Sequence, residues 1–178
     1  PIGHKGKLLQ VEIIATFLPH IVVDSLYSVV HKAGLEVMNL TLEPIASINV
    51  AIPKNLRLLN LALVDVGAGT SDIAISKDGA VTSYGMVALA GDEITEKIAQ
   101  TYLLDFNSAE KLKIGLNKQE ENSFVDVLGL THTLSTEEIM SQINDTVELI
   151  TKEIADNMLS LNKKAPSAVF CIGGGAQI

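Results

Sequence analysis

What most narrows the folds open to this chain is a glycine-rich corner set between two apolar runs. LLNLALVD at 58–65 leads into Val66-Gly67-Ala68-Gly69-Thr70-Ser71, and DIAIS at 72–76 follows. Apolar, β-branched residues on both sides of a tight glycine turn predict strand, turn, strand. A second turn, Lys77-Asp78-Gly79, leads to AVTSYGMVAL at 80–89, so the block extends to a three-stranded antiparallel meander. The corner itself fits two readings. Successive N–H groups of such a turn can form a nest for a phosphate, with Asp65 able to hold Mg2+ through water and Thr70 offering a hydroxyl. The same glycines would equally serve a bare hairpin.

Upstream, LLQVEIIATFL at 8–18 has the composition of a buried strand, and Pro19 suits the start of a helix. Val22, Leu26, Val29, Val30 and Ala33 share one helical face, and Gly34 supplies a left-handed stop. Alternation at 35–42 then predicts a strand, giving β-α-β. Pro44 opens a short helix over 45–52, Pro53 ends it, and 54–57 reads as a linker.

Downstream of the meander, 92–104 and 108–116 read as helices and 124–134 as irregular strand. Ser135 and Glu138 fit a capping box. The stripe Ile139, Ile143, Val147, Ile150, Ile154, Met158 and Leu161 then predicts a long helix packed on the core. AVFCI at 168–172 reads as a buried strand, with Cys171 as a small apolar core residue, and runs into Gly173-Gly174-Gly175-Ala176. Glycines there would let backbone lie flat against a planar ligand, or merely turn the chain.

Composition removes several classes. The chain has 178 residues, 13 Lys+Arg against 21 Asp+Glu, and 47% hydrophobic residues, which excludes disorder and describes an acidic globule. No basic cluster exceeds Lys163-Lys164, so nucleic acid is a poor partner. One cysteine permits neither an internal disulfide nor a cysteine-rich metal site, and none of the four histidines pairs convincingly with another. Glu12, Pro19, His20 and Asp24 interrupt the apolar stretch 11–30, which argues against a membrane span.

In this order the two glycine turns resemble the actin-like ATPase superfamily, through DVGAGTSDIAI for its second phosphate loop and CIGGGAQI for its adenosine loop. LEPIAS at 42–47 resembles its connecting segment and SAEKLK at 108–113 its helix beside adenosine. The cadence of AGLEVMNLTLEPIAS, VDVGAGTSDIAI and LAGDEITEKIA is similar to the FtsA/PilM cell-division and pilus-assembly branch. The resemblance implies an α/β fragment of the actin-like, ribonuclease H-like ATPase fold, a mixed sheet with an antiparallel meander plus helices. Residues 1–57 would end a first domain. Residues 58–178 would form most of a second, with a helical insert at about 91–134.

It also implies roles. Asp65 would anchor the hydration shell of Mg2+, and Gly67, Ala68, Gly69 and Thr70 would wrap the phosphates of ATP. Gly91 and Asp92 would lie by the ribose, Glu110 and Lys113 beside adenosine, and Gly173, Gly174 and Gly175 against its plane. Glu43 would position the attacking water, although a Glu before Pro44 also suits a helix N-terminus. Ala68 stands where many relatives carry glycine, and the family's first phosphate loop has no counterpart here. The expectation is therefore a fragment inactive alone, from a weak Mg-dependent ATPase. At full length it would be a cytoplasmic assembly protein that self-associates or meets an FtsZ-like or pilus partner, touching the inner membrane face only through segments absent here. A DnaK-type chaperone core, an enzyme reactivase and a small-molecule kinase are the alternatives left open.

Overall fold

The computed structural model describes residues 3–11, 13 and 15–178. Contacts divide the chain into two compact units, Pro1–Thr41 and Leu42–Ile178.

The first unit contains α1 (His20–Lys32), which starts after Pro19 as expected. Gly34 takes φ +76° and Leu35 N–H closes onto Val30 O at 3.2 Å, a Schellman stop. Among the described residues neither flanking stretch forms a strand. Residues 35–42 and the described residues of 8–18 are irregular and mostly exposed, Leu8 and Met38 to 87% and 93%. Glu12 and Ile14, inside the first of these stretches, lie outside the described residues. Side-chain alternation supplies a face but no hydrogen-bonding neighbour, and no described strand pairs with either stretch.

The second unit opens with α2 (Glu43–Ala51), with Pro44 in its first turn where a missing N–H costs nothing. The meander follows as β1 (Leu61–Val66), β2 (Ser71–Lys77) and β3 (Ala80–Val87). Its second turn carries positive φ at both Asp78 and Gly79, which matches the twist of a two-residue hairpin. Then come α3 (Gly91–Tyr102), α4 (Phe106–Gly115), the hairpin β4 (Glu121–Val125) and β5 (Thr131–Ser135), α5 (Thr136–Asn162) and β6 (Ala168–Ile172). Residues 124–134 are thus an ordered hairpin, with Tyr102 against Phe124 edge to face at 5.3 Å and Phe124 stacked on His132.

The main sheet runs β3-β2-β1-β6, with β6 parallel to β1 and the other pairs antiparallel. One face, with Leu61, Leu63 and Ala74, packs on Ile48 and Ile52 from the α2 segment. The other, with Ala62, Val64, Ile73 and Ile75, meets Ile154, Met158 and Leu161 of α5. The N-terminal half of α5 buries Ile139 and Ile143 against Ile94 and Ile98 of α3 and Leu112 of α4. Each fully buried isoleucine of this kind contributes about 2 kcal/mol. β6 corrects one expectation. It is an edge strand, only half covered, and Cys171 is exposed rather than in the core.

Candidate functional site

The corner between β1 and β2 is held from two sides. Gly67 N–H donates to Thr70 O at 2.9 Å, closing the turn. Gly91 N–H donates to Gly67 O at 3.1 Å and Asp92 N–H to Ala68 O at 2.8 Å. A helix leaves its first N–H groups without partners, and here the corner's carbonyls take two of them at the start of α3. Ala90 has no side-chain acceptor, so the usual polar cap is replaced; Glu93 Oε2 accepts from Ala90 N–H at 2.6 Å. In a trans peptide C=O and N–H point in opposite directions, and the described residues hold no cis bond. Carbonyls 67 and 68 turned toward α3 therefore turn the N–H groups of Ala68 and Gly69 away from it. Among the described residues nothing accepts from the N–H of Ala68, Gly69 or Thr70. Ser71 Oγ donates to Leu89 O at 2.7 Å and fixes the base of the corner.

The second glycine turn meets the first. Parallel pairing sets Asp65 opposite Ile172, so the chain leaving β6 passes the end of β1. Gly173 has φ +90°, and a Cβ there would fall 2.5 Å from Asp65 Oδ1. A Cβ on Gly175 would fall 2.6 Å from Val66 Cγ1 and 3.1 Å from Gly67 O. Gly174 has open space around it.

Three carboxylates gather on the α2 face. Asp65 and Asp72 are directly opposed across the β1–β2 ladder, and with Glu43, Pro44, Ser47, Leu63 and Ala74 they line a small hollow. Burial, and then the charge of Asp72, push the Asp65 carboxyl above its ordinary value. Tyr84 donates its hydroxyl to Asp72 Oδ1. Burial, that hydrogen bond, and the charges of Asp72 and Glu43 together drive its phenol far up. Uncompensated negative charge beside oxygen donors suits a hydrated divalent cation. Among the described residues no three His, Cys, Asp or Glu side chains could chelate a metal directly.

Lys113, buried on α4, donates to Gly91 O at 2.9 Å and Thr95 Oγ1 at 2.7 Å, and pairs with Glu110 Oε2 at 2.6 Å. Burial opposes ionisation of Glu110, but hydrogen bonds from Lys113 and Thr95 and the Lys113 charge outweigh it and hold the carboxyl below its ordinary value. The twelve residues singled out in the sequence, other than Gly174, thus form one connected set of contacts or share the lined hollow. Tyr84 and Thr95 belong to that set as well, and nothing in the sequence marked them.

The family model described as cell division protein FtsA matches residues 62–177. The chain belongs to the FtsA family. FtsA of Bacillus subtilis is 27% identical over 179 residues, 96% of this chain and 41% of the relative. FtsA of Pseudomonas aeruginosa is 32% identical over 114 residues, 64% of this chain and 27% of the relative. The chain therefore spans less than half the length of these FtsA relatives. Among solved structures, MreB5 of Spiroplasma citri bound to ADP superposes with a TM-score of 0.69 at 20% identity, covering 90% of this chain and 56% of that one. A PilM–PilN type IV pilus biogenesis complex gives 0.66 at 19% identity, covering 87% and 41%. At those identities the likeness concerns the fold, which is the mixed α/β fold of actin-like ATPases.

Proposed function

We propose that the protein carrying this chain is an ATP-binding assembly protein of the FtsA/PilM kind. The observation that carries this reading is the closure of two distant glycine turns on each other. Gly173 and Gly175 abut Asp65, Val66 and Gly67, while Ala68, Gly69 and Thr70 present three unpartnered N–H groups. Oriented backbone amides in a fixed frame bind phosphate oxygens without reorganising.

In this reading Gly67 shapes the loop, and Ala68, Gly69 and Thr70 bind the phosphates. Gly91 and Asp92 border the ribose, Glu110 and Lys113 the adenosine side, and Gly173 to Gly175 the base. Asp65 holds water around Mg2+, with Asp72 opposite. Mg2+, when bound, would neutralise charge on the terminal phosphates. Glu43, in the first turn of α2 and lining the same hollow, would orient a water. Support for a nucleotide also comes from the MreB5 relatives, whose structures carry ADP and AMPPNP.

The domain boundary near residue 57, self-association, an FtsZ-like or pilus partner and a cytoplasmic place at the inner membrane face complete the proposal. No helix among the described residues is long and apolar enough to cross a membrane.

The test is titration of the full-length protein with Mg-ATP while light scattering follows assembly. Asp65→Ala should weaken Mg-ATP about tenfold, or 1.4 kcal/mol. Unchanged affinity in that variant would remove the phosphate-loop assignment.

A further inference from the structure

Lys113 reaches from α4 into the first turn of α3, and its side chain is spoken for. Nζ has three N–H donors and three acceptors, Gly91 O, Thr95 Oγ1 and Glu110 Oε2, at 2.9, 2.7 and 2.6 Å. The residue is only 6% exposed. Thr95 accepts from Lys113 and passes its own O–H to Glu110 Oε2, so the three polar side chains satisfy one another. A ligand could claim an N–H of Lys113 only by breaking one of these bonds.

What Lys113 holds is the residue that touches the phosphate corner. Gly91 is wedged: a Cβ on it would lie 3.1 Å from Gly67 O and 3.2 Å from Lys113 Nζ. Its carbonyl is pinned by Lys113, while its N–H and that of Asp92 pin the carbonyls of Gly67 and Ala68. Those two carbonyls decide where the N–H groups of Ala68 and Gly69 aim, because each peptide is rigid.

We infer that Lys113 is a positioning residue, which acts through Gly91 to aim the phosphate-binding amides rather than by touching the base. The inference rests on the nucleotide reading of the corner and adds a mechanical link from the adenosine side of the site to its phosphate side. Displacing α4 would release Gly91 and with it the corner.

The experiment compares full-length wild type, Lys113→Met, Thr95→Val and Gly91→Ala. Lys113→Met keeps the aliphatic stem and removes the donors; Thr95→Val removes one leg of the network and serves if the first variant does not fold. Amide hydrogen exchange is read without nucleotide, and binding of Mg-tripolyphosphate, which has no base, is read alongside Mg-ATP. Exchange at Gly91 and Asp92 should quicken relative to core amides of α5, and Mg-tripolyphosphate affinity should fall about tenfold in Lys113→Met, the size of one charge-assisted hydrogen bond. Gly91→Ala should reproduce the affinity loss. Weakened Mg-ATP with unchanged tripolyphosphate affinity and unchanged Gly91 and Asp92 exchange would overturn the inference and make Lys113 a direct base contact. Wild type that binds no Mg-ATP would end the nucleotide reading instead, and the exchange comparison would still decide whether Lys113 holds the corner.

Discussion

Gly173 can carry no side chain because Asp65 is already there: a Cβ would sit 2.5 Å from the Asp65 carboxylate, and the backbone φ of +90° would disfavour it in any case. Gly173 is the first residue after β6 and Asp65 the last but one of β1, more than 100 positions earlier. Gly173→Ala should therefore cost about 1–3 kcal/mol of stability and weaken Mg-ATP by shifting Asp65. Gly174→Ala, with φ −66° and open space, should stay within about 1 kcal/mol and can even stabilise by restricting the unfolded chain. Thermal melting and ATP titration of the two single variants make the comparison, and equal effects would contradict it.

Ser135 Oγ accepts from Glu138 N–H at 3.2 Å, and Glu138 Oε2 accepts from Ser135 N–H at 2.8 Å, closing the box at the start of α5. That helix joins the sheet to the α3–α4 layer, so loss of its cap is felt by the whole unit. Ser135→Ala should lower stability by about 1 kcal/mol, and Ser135→Asp should recover most of it. The denaturant midpoint measures both, with the slope expected to stay constant.

That cap was legible because its partners are three residues apart, as were the glycine stop at Gly34, the Pro44 helix start and the Asp78-Gly79 turn. The meander was legible for the same reason, its strands being joined by short turns. The described residues of 8–18 and 35–42 form no strand, because alternation describes a surface, whereas a strand also requires a neighbour. Cys171 was misplaced because whether a strand is central or at an edge depends on sheet order, which no local pattern encodes. Within the site, glycines betrayed the corners, since backbone crowding excludes side chains there. Thr95 and Tyr84 gave no signal: their partners Lys113 and Asp72 lie 18 and 12 residues away on other elements, so only register brings them together.

Residues 54–57 read as a linker, yet Arg57 clamps the end of α2. Its guanidinium donates to Ile52 O at 2.9 Å, Asn49 Oδ1 at 2.8 Å and Asn49 O at 2.7 Å, meeting carbonyls that a helix end leaves open. Arg57→Ala should cost about 1–2 kcal/mol and speed amide exchange through α2, the helix that carries Glu43. Arg57→Lys should recover little, because an ammonium cannot span three acceptors in one plane. A lysine variant as protected as wild type would reduce the clamp to simple charge.

The β4–β5 hairpin should carry its own acid limit. Asp126 Oδ1 accepts from Leu128 and Leu130 N–H, each at 2.9 Å, and Oδ2 from His132 Nε2–H at 2.9 Å. The bond from His132, then that from Leu130, holds the Asp126 carboxyl below its ordinary value. A carboxyl lowered by folding stabilises fully above its unfolded pKa, about 3.9, and loses that contribution as pH falls through the lower folded value. Leu128 and Leu130 amide resonances should accordingly stay fixed from neutral pH down to about 4 and move only below it. Asp126→Asn should remove this low-pH movement, because the amide oxygen still accepts from Leu128 and Leu130 N–H without titrating, although its NH2 cannot accept from His132. A transition in wild type centred above the ordinary aspartate range would show that the pair does not hold the hairpin tip as described.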